Sequence, residues 1–426
     1  MRKTIASLVL LGLLGTIGLP RLSPATGGDP APAFPSFRMQ ELATDLGVGY
    51  AVLLVDVDGD GKKDIVVVDQ TRVIWFQNPS WKRRIIIDGG TKPDNVCIDA
   101  YDIDGDGKID FALGAEWKPF NPTGTLQWLK RGKTLDERWT VYPIEGADPS
   151  IHRIRFIDVE GKGGFAKPAL VSVPLMGRGA TAKNNWTDGS PVRVTAYRIP
   201  KDPTKDRWES MVLDESLHVC HNFCAAGGLT RRANGFDLLV ASYEGVTWLS
   251  PDHFGDGRNW SSKHIGTGNQ ETPAGKRGAS EIKMGRLKNG SVIATIEPWH
   301  GDQVVVYTPP TEAGKMWSRH VIDDQLRWGH AVWFADLDGD GIDELIIGVR
   351  DDPGKGDKVT DRRGVRIYKA LDDKGTKWAR KIIDNGGVAV EDMAAADLDG
   401  DGRIDIVAVG RQTHNVRIYW NEGTKK

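Results

Sequence analysis

Short apolar runs alternate with polar turns along this chain, and one arrangement of them recurs. Tyr50 to Val68 reads YAVLLVDVDGDGKKDIVVV, an apolar run, a loop with an acid at every second position, and a second apolar run. Variants of this unit occur seven times, so the chain reads as an array of repeats. Each unit holds up to four apolar segments of strand length. The first leads into the acidic loop, as in AVWFADLDGDG, and the second leaves it, as in ELIIGVR. The third alternates aromatic or Val-rich positions: Val73–Phe76, Thr125–Leu129, Val192–Tyr197, Val246–Leu249, Val304–Tyr307, Val365–Tyr368 and Val416–Trp420. The fourth starts at a tryptophan: Trp81–Ile87, Trp139–Ile144, Trp208–Leu213, Trp260–Ile265, Trp317–Ile322 and Trp378–Ile383.

That makes seven third segments but six fourth ones. Phe37–Leu42 (FRMQEL) has the pattern of a fourth strand standing ahead of the first loop, and the chain stops after a third strand. The count closes if the N-terminal segment completes the last unit. The expected fold is therefore all-β, a seven-bladed β-propeller of four-stranded blades closed by the N-terminal strand. Such closure removes the exposed sheet edges of an open array. A linear solenoid would need atypical capping repeats and leaves the split unexplained.

Composition changes this picture in a few places. Arg2 and Lys3 precede an apolar run from Ile5 to about Leu19, shorter than the roughly 20 residues of a membrane-spanning helix. Residues 1–32 are thus read as a signal peptide and short linker, and residues 33–426 as a single propeller. The expectation is export to the periplasm or the extracellular space, with no membrane span. A net charge of −2 gives no reason to expect nucleic acid as a partner. Cys97, Cys220 and Cys224 are an odd set, and the last two sit too far apart in an extended segment to bridge, so buried free thiols are expected.

The acidic loops supply the first candidate chemistry. Four copies are complete: Asp56, Asp58, Asp60, Asp64; Asp102, Asp104, Asp106, Asp110; Asp336, Asp338, Asp340, Glu344; and Asp397, Asp399, Asp401, Asp405. Acids at positions one, three, five and nine with Gly at six can wrap oxygens around Ca²⁺. Position twelve is Val67, Leu113, Ile347 or Ala408, so the bidentate Glu of an EF-hand is absent. Structural Ca²⁺ in up to four loops is expected, against the alternative of polar turns without metal. The middle repeats have lost most of these acids, keeping Asp158 and Glu160 in the third.

The second candidate lies at the other end of the first strands. Counting back six residues from each loop reaches Tyr50, Val96, His152, His221, Glu281 (or Ser280), His330 and Glu391. A strand of about six residues spans about 20 Å, so these positions face the mouth opposite the acidic loops. Strand starts of a propeller converge, which gathers His152, His221, His330, Tyr50, Glu281 and Glu391 as candidate catalytic groups. The ends of the second strands reach the same face and add Trp117, Trp299, His300, Arg350 and Arg411, with Arg153 beside His152, as substrate-binding candidates. Two chemistries suit the set: a transition metal such as Zn²⁺ on imidazoles and carboxylates, or proton abstraction by His or Tyr50 with a cation or arginine facing the enolate.

DVDGDGKKD, DIDGDGKID, DLDGDGIDE and DLDGDGRID resemble the FG-GAP or VCBS repeat family over almost the whole mature chain. That resemblance implies that the cation staples the loop joining a blade's two innermost strands. The strand starts SIHRIRF, HVCHNF and WGHAVWF are similar to those of the aldos-2-ulose dehydratase propeller domain. The implied activity is elimination of water from keto- or anhydro-sugars, with His152, His221 and His330 carried across. That family has cupin domains after its propeller, and this sequence shows none. The expected function is a carbohydrate-active lyase working by proton abstraction and β-elimination on a small sugar or glycan. A non-catalytic propeller binding carbohydrate or a partner protein on the funnel face is one alternative, and a polysaccharide lyase is another.

Overall fold

The computed structural model describes residues 32–118, 123–159, 168–227, 237–251, 259–273, 276–350 and 363–424. Residues 1–31, nearly all of the expected signal peptide and linker, and Glu160 lie outside them. The described residues form seven four-stranded antiparallel sheets, the blades of a propeller. Their innermost strands are Ala51–Val55, Asn95–Tyr101, Ile151–Ile157, Asn222–Ala226, Glu281–Leu287, Gly329–Ala335 and Val390–Ala396, which open blades 1 to 7 in order. No described helix is long and apolar enough to cross a membrane.

Burial explains the local sequence. Second strands such as Asp64–Val68, Asp110–Ala115 and Glu344–Val349 are buried at every residue, because neighbouring blades cover both faces. They accordingly read as unbroken apolar runs rather than alternations. Outer strands such as Lys82–Asp88 keep one face in water and carry charge there. Cores form between blades: Val52, Ile65, Val67 and Phe76 of blade 1 pack on Val407, Val409, Ile418 and Trp420 of blade 7. The tryptophan that opens a fourth segment ties adjacent blades. Trp139 N donates to Ile86 O at 2.9 Å and Trp317 N to Ile265 O at 2.8 Å.

Ring closure follows the count of segments. Phe37–Ala43 pairs antiparallel with Val416–Asn421, with Phe37 opposite Asn421 and Glu41 opposite Arg417. Arg417 Nε donates to Glu41 at 2.9 Å and Trp420 Nε1 to Gln40 at 2.9 Å. On the inner side, Val52 N donates to Asp392 of blade 7 at 3.0 Å. All three cysteines are free and buried, as the spacing predicts.

Candidate functional site

The inner strands that carry the key histidines do not begin as regular strands. Their pairing shifts register between Ile151 and Arg153, between Gly329 and Ala331, and between Val390 and Asp392. Each shift brackets a candidate: His152, His330 or Glu391. A bulge leaves one residue unpaired and re-aims its side chain, which lets both His152 and Arg153 reach the axis. Just upstream, Ser150, Val219 and Trp328 have φ of 59°, 47° and 54°. For a β-branched residue such as Val219 that backbone is costly, and it falls in the three blades that contribute His152, His221 and His330. His300, at the end of a second strand, is bent likewise, with φ 50°.

These turns bring the imidazoles together. The His221 ring centroid lies 4.6 Å from that of His152, 4.7 Å from His300 and 4.9 Å from His330, and His300 lies 5.0 Å from His330. One ring nitrogen from each of His221, His300 and His330 falls within 4.8 Å of the others. Oxygen atoms meet the opposite nitrogens. His152 Nδ1 lies 2.8 Å from His221 O, and His330 Nδ1 lies 2.6 Å from Glu391 O. A carbonyl oxygen only accepts, so both Nδ1 atoms carry the proton and both Nε2 atoms keep a lone pair, that of His152 facing the Arg153 Nη1 donor at 3.3 Å. His221 Nδ1 is 2.7 Å from Glu281 Oε1, an approach too oblique for a good hydrogen bond. Its Nε2 is 2.8 Å from His300 Nε2.

Charge is arranged around this centre in two lobes. Glu281 accepts a hydrogen bond from Asn222 Nδ2 and lies 3.5 Å from Arg153. Glu391 accepts from Arg411 at 2.8 Å and lies 3.3 Å from Arg350. His221 is 1 % exposed and His330 2 %. Burial, then the neighbouring arginines and imidazoles, push the pKa values of His152, His221, His300 and His330 well below the ordinary histidine value. At neutral pH they are uncharged, the form that ligates metal or accepts a proton. Burial raises Glu281 to about 7 and Tyr50 to about 12.

Aromatic rings wall the mouth. Trp117 meets His152 edge-on at 6.0 Å and Tyr50 at 6.2 Å, and Trp299 lies 5.1 Å from His300. Arg411 sits 5.4 Å over Tyr50. All twelve funnel residues singled out in the sequence thus occupy one neighbourhood. Three others were missed. Trp328 stacks on His300 at 5.7 Å, Asn222 holds Glu281, and Trp186 packs edge-on against Trp299 at 5.9 Å. Trp328 and Asn222 stand beside His330 and His221 in the motifs already noted. Trp186 lies in the connection between the second and third strands of blade 3, Ala169–Pro174 and Val192–Tyr197, and had no repeat register to mark it.

Each acidic loop gathers part of its set. Asp56, Asp58 and Asp64 converge, as do Asp102, Asp104 and Asp110, and Asp397, Asp399 and Asp405, whereas Asp336 and Asp338 are joined by Asp340. Asp60, Asp106, Asp401 and Glu344 stand outside these groups. The ninth-position acid clamps backbone: Asp64 accepts from Val57 N at 2.9 Å and Asn78 N at 2.7 Å. Lys369 contacts Asp338 and lies 3.0 Å from Asp340, while Lys130 contacts Asp104.

Fold and site together define a closed propeller with acidic loops on one face and a histidine-lined axial centre on the other. Residues 123–310 match the family described as aldos-2-ulose dehydratase, beta-propeller domain, and residues 56–113 match the FG-GAP-like repeat. The first match contains His152, His221, Glu281 and His300. The aldos-2-ulose dehydratase of Phanerodontia chrysosporium is 27 % identical over 308 aligned positions, a match that covers 67 % of this chain and 32 % of that protein. The chain thus spans about a third of that relative's length. Crystal structures of BBS1N in complex with ARL6DN, soaked with mercury or with lead, give TM-scores of 0.54 and 0.51 at 13 % identity. Each covers 92 % of this chain and 98 % of the other, a likeness of fold alone.

Proposed function

We propose that this protein is a sugar dehydratase-like carbon–oxygen lyase whose reaction takes place at the imidazole centre. The observation that carries the reading is the convergence of neutral His221, His300 and His330 beside His152, three of which (His152, His221 and His300) lie in the segment similar to the dehydratase propeller. The donor set fits a transition metal such as Zn²⁺: three imidazoles, with an oxygen at Nδ1 of His330 and one close to Nδ1 of His221, where each would orient its ring and leave Nε2 for the metal. A divalent cation held there would polarise the carbonyl of a keto- or anhydro-sugar.

The chain's own groups account for the remaining steps. His152, with Nδ1 facing the His221 carbonyl and Nε2 3.3 Å from Arg153 Nη1, takes the proton from the carbon beside the carbonyl at Nε2, in place of the contact from Arg153. The electron pair forms the double bond as the β C–O bond breaks. Tyr50 stays protonated because burial holds its pKa near 12, so it can donate to the departing hydroxyl, which leaves as water. Trp117 and Trp299 would orient the ring by contact with its C–H face. Deep burial of the imidazoles, with Arg153, Arg350 and Arg411 beside Glu281 and Glu391, favours a small sugar over an extended polyuronate.

The test is absorbance of the unsaturated product from keto-sugars, with His152→Ala and His330→Ala beside the wild type. Turnover in the wild type and loss in both variants is expected. A wild type that binds glycan and turns over no keto-sugar would make the propeller a binding module. Calcium in the acidic loops and export by residues 1–32 belong to the same proposal. Metal analysis and the N-terminal sequence of the mature protein test them.

A further inference from the structure

Behind the imidazole centre a cavity of about 240 Å³ follows the inner strands. Arg153, Asn222 and Glu281 line it at one end and Lys63, next to an acidic loop, at the other. A recess of about 360 Å³ bounded by Phe156, Ala225 and Phe334 shares Arg155, Lys283 and Trp333 with it, giving an approach from the acidic-loop face.

Besides Lys63 at the far end, three cations line this space, and they are not equivalent. Arg153 is engaged by Glu281 and by His152 O at 3.0 Å. Arg155 donates one hydrogen bond to Ile154 O at 2.7 Å, and the Lys283 ammonium lies 4.8 Å from the Trp333 ring centroid. Among the described residues neither has a carboxylate oxygen within 4.0 Å. The nearby acids hold backbone instead: Asp99 accepts from Phe156 N at 2.6 Å and Asp392 from Val52 N at 3.0 Å. Two like charges kept in an enclosed space repel and are poorly solvated, a cost that a bound anion removes. The effect is already visible in Lys283, whose pKa is lowered by burial first and by Arg155 next.

We propose that Arg155 and Lys283 form a binding site for a small planar oxyanion, a carboxylate or bicarbonate, in the axial cavity beside Trp333. Arg155 supplies the two-pronged donor that matches a planar anion, Lys283 supplies a point charge, and Trp333 supplies a flat wall. Arg155 and Lys283 share this cavity with Arg153, Asn222 and Glu281 of the imidazole centre, but the proposal does not depend on the reaction proposed there.

The test is the melting temperature and calorimetry of the whole protein titrated with acetate, bicarbonate or chloride at fixed ionic strength. A saturable rise in melting temperature with acetate or bicarbonate is expected, and the stronger of the two identifies the ligand class. Lys283→Met should abolish it and Lys283→Arg should keep it. Arg155→Lys, which keeps the charge and loses the fork, should weaken the oxyanion response alone. A response that never saturates, that survives unchanged in Lys283→Met, or that chloride matches overturns the proposal. Should Lys283→Met fail to fold, an undiminished oxyanion response in Arg155→Lys overturns it equally.

Discussion

His152 and His330 differ from solvent-exposed histidines in the carbonyl each Nδ1 faces, which fixes one tautomer and leaves Nε2 basic. Removing His152 should therefore lower turnover by about 10²–10⁴-fold, the usual worth of a positioned base, with the melting temperature little changed. Product absorbance and a thermal melt check both halves. His221→Ala should instead lower bound transition metal by one equivalent per chain while calcium content holds, as read by elemental analysis. The buried acids give a pH prediction. Burial raises Asp392, so the native state holds a proton that the unfolded chain releases above the ordinary carboxylate range. Its contribution to stability is present at low pH and is lost as pH rises through the raised value. Asp392→Asn, which keeps an acceptor for Val52 N, should flatten the fall in melting temperature as pH rises above the ordinary carboxylate range. At this scale the sequence was readable wherever a residue broke the repeat: an imidazole stands where register calls for an apolar strand start. It was not readable for Asn222 or Trp186, whose roles arise from contacts with Glu281 and Trp299 that lie 59 and 113 positions away.

Among the elements, Phe37–Ala43 is the one whose partner lies farthest along the chain. Deleting residues up to Ala43 should leave Val416–Asn421 as a bare edge strand, which invites association between molecules. The expected result is a lower melting temperature and concentration-dependent oligomers by size exclusion. The acidic loops are the other elements with a decisive test. Burial raises Asp64 to about 6 and Asp110 to about 7, so a cation that holds them ionised works against an appreciable cost. A chelator should lower the melting temperature, and re-added Ca²⁺ should restore it in proportion to the logarithm of its concentration. An unchanged melt would leave the loops as polar turns. The strand segments themselves were legible because second strands are covered on both faces and outer strands on one, and each condition writes its own pattern. The bulges at His152, His330 and Glu391 were not legible, because an unpaired residue in a ladder depends on the neighbouring strand.

In the whole molecule, closure converts separation along the chain into proximity. Tyr50 and Glu391 come from opposite ends of the array, yet Arg411 contacts both. Repeat counting alone determined this much: seven units, a split last blade, acids on one face, and a ring of departures from the repeat on the other. It could do so because periodic burial imposes periodic sequence, and one missing segment has one geometric remedy. Only the tertiary structure decided which departures touch. It placed His300, which follows a second strand, against His221, gave His152 and His330 their carbonyl partners, and left Arg155 and Lys283 facing the axial cavity. Those outcomes depend on backbone turns and blade-to-blade distances of a few ångströms, and no spacing along a single strand encodes them.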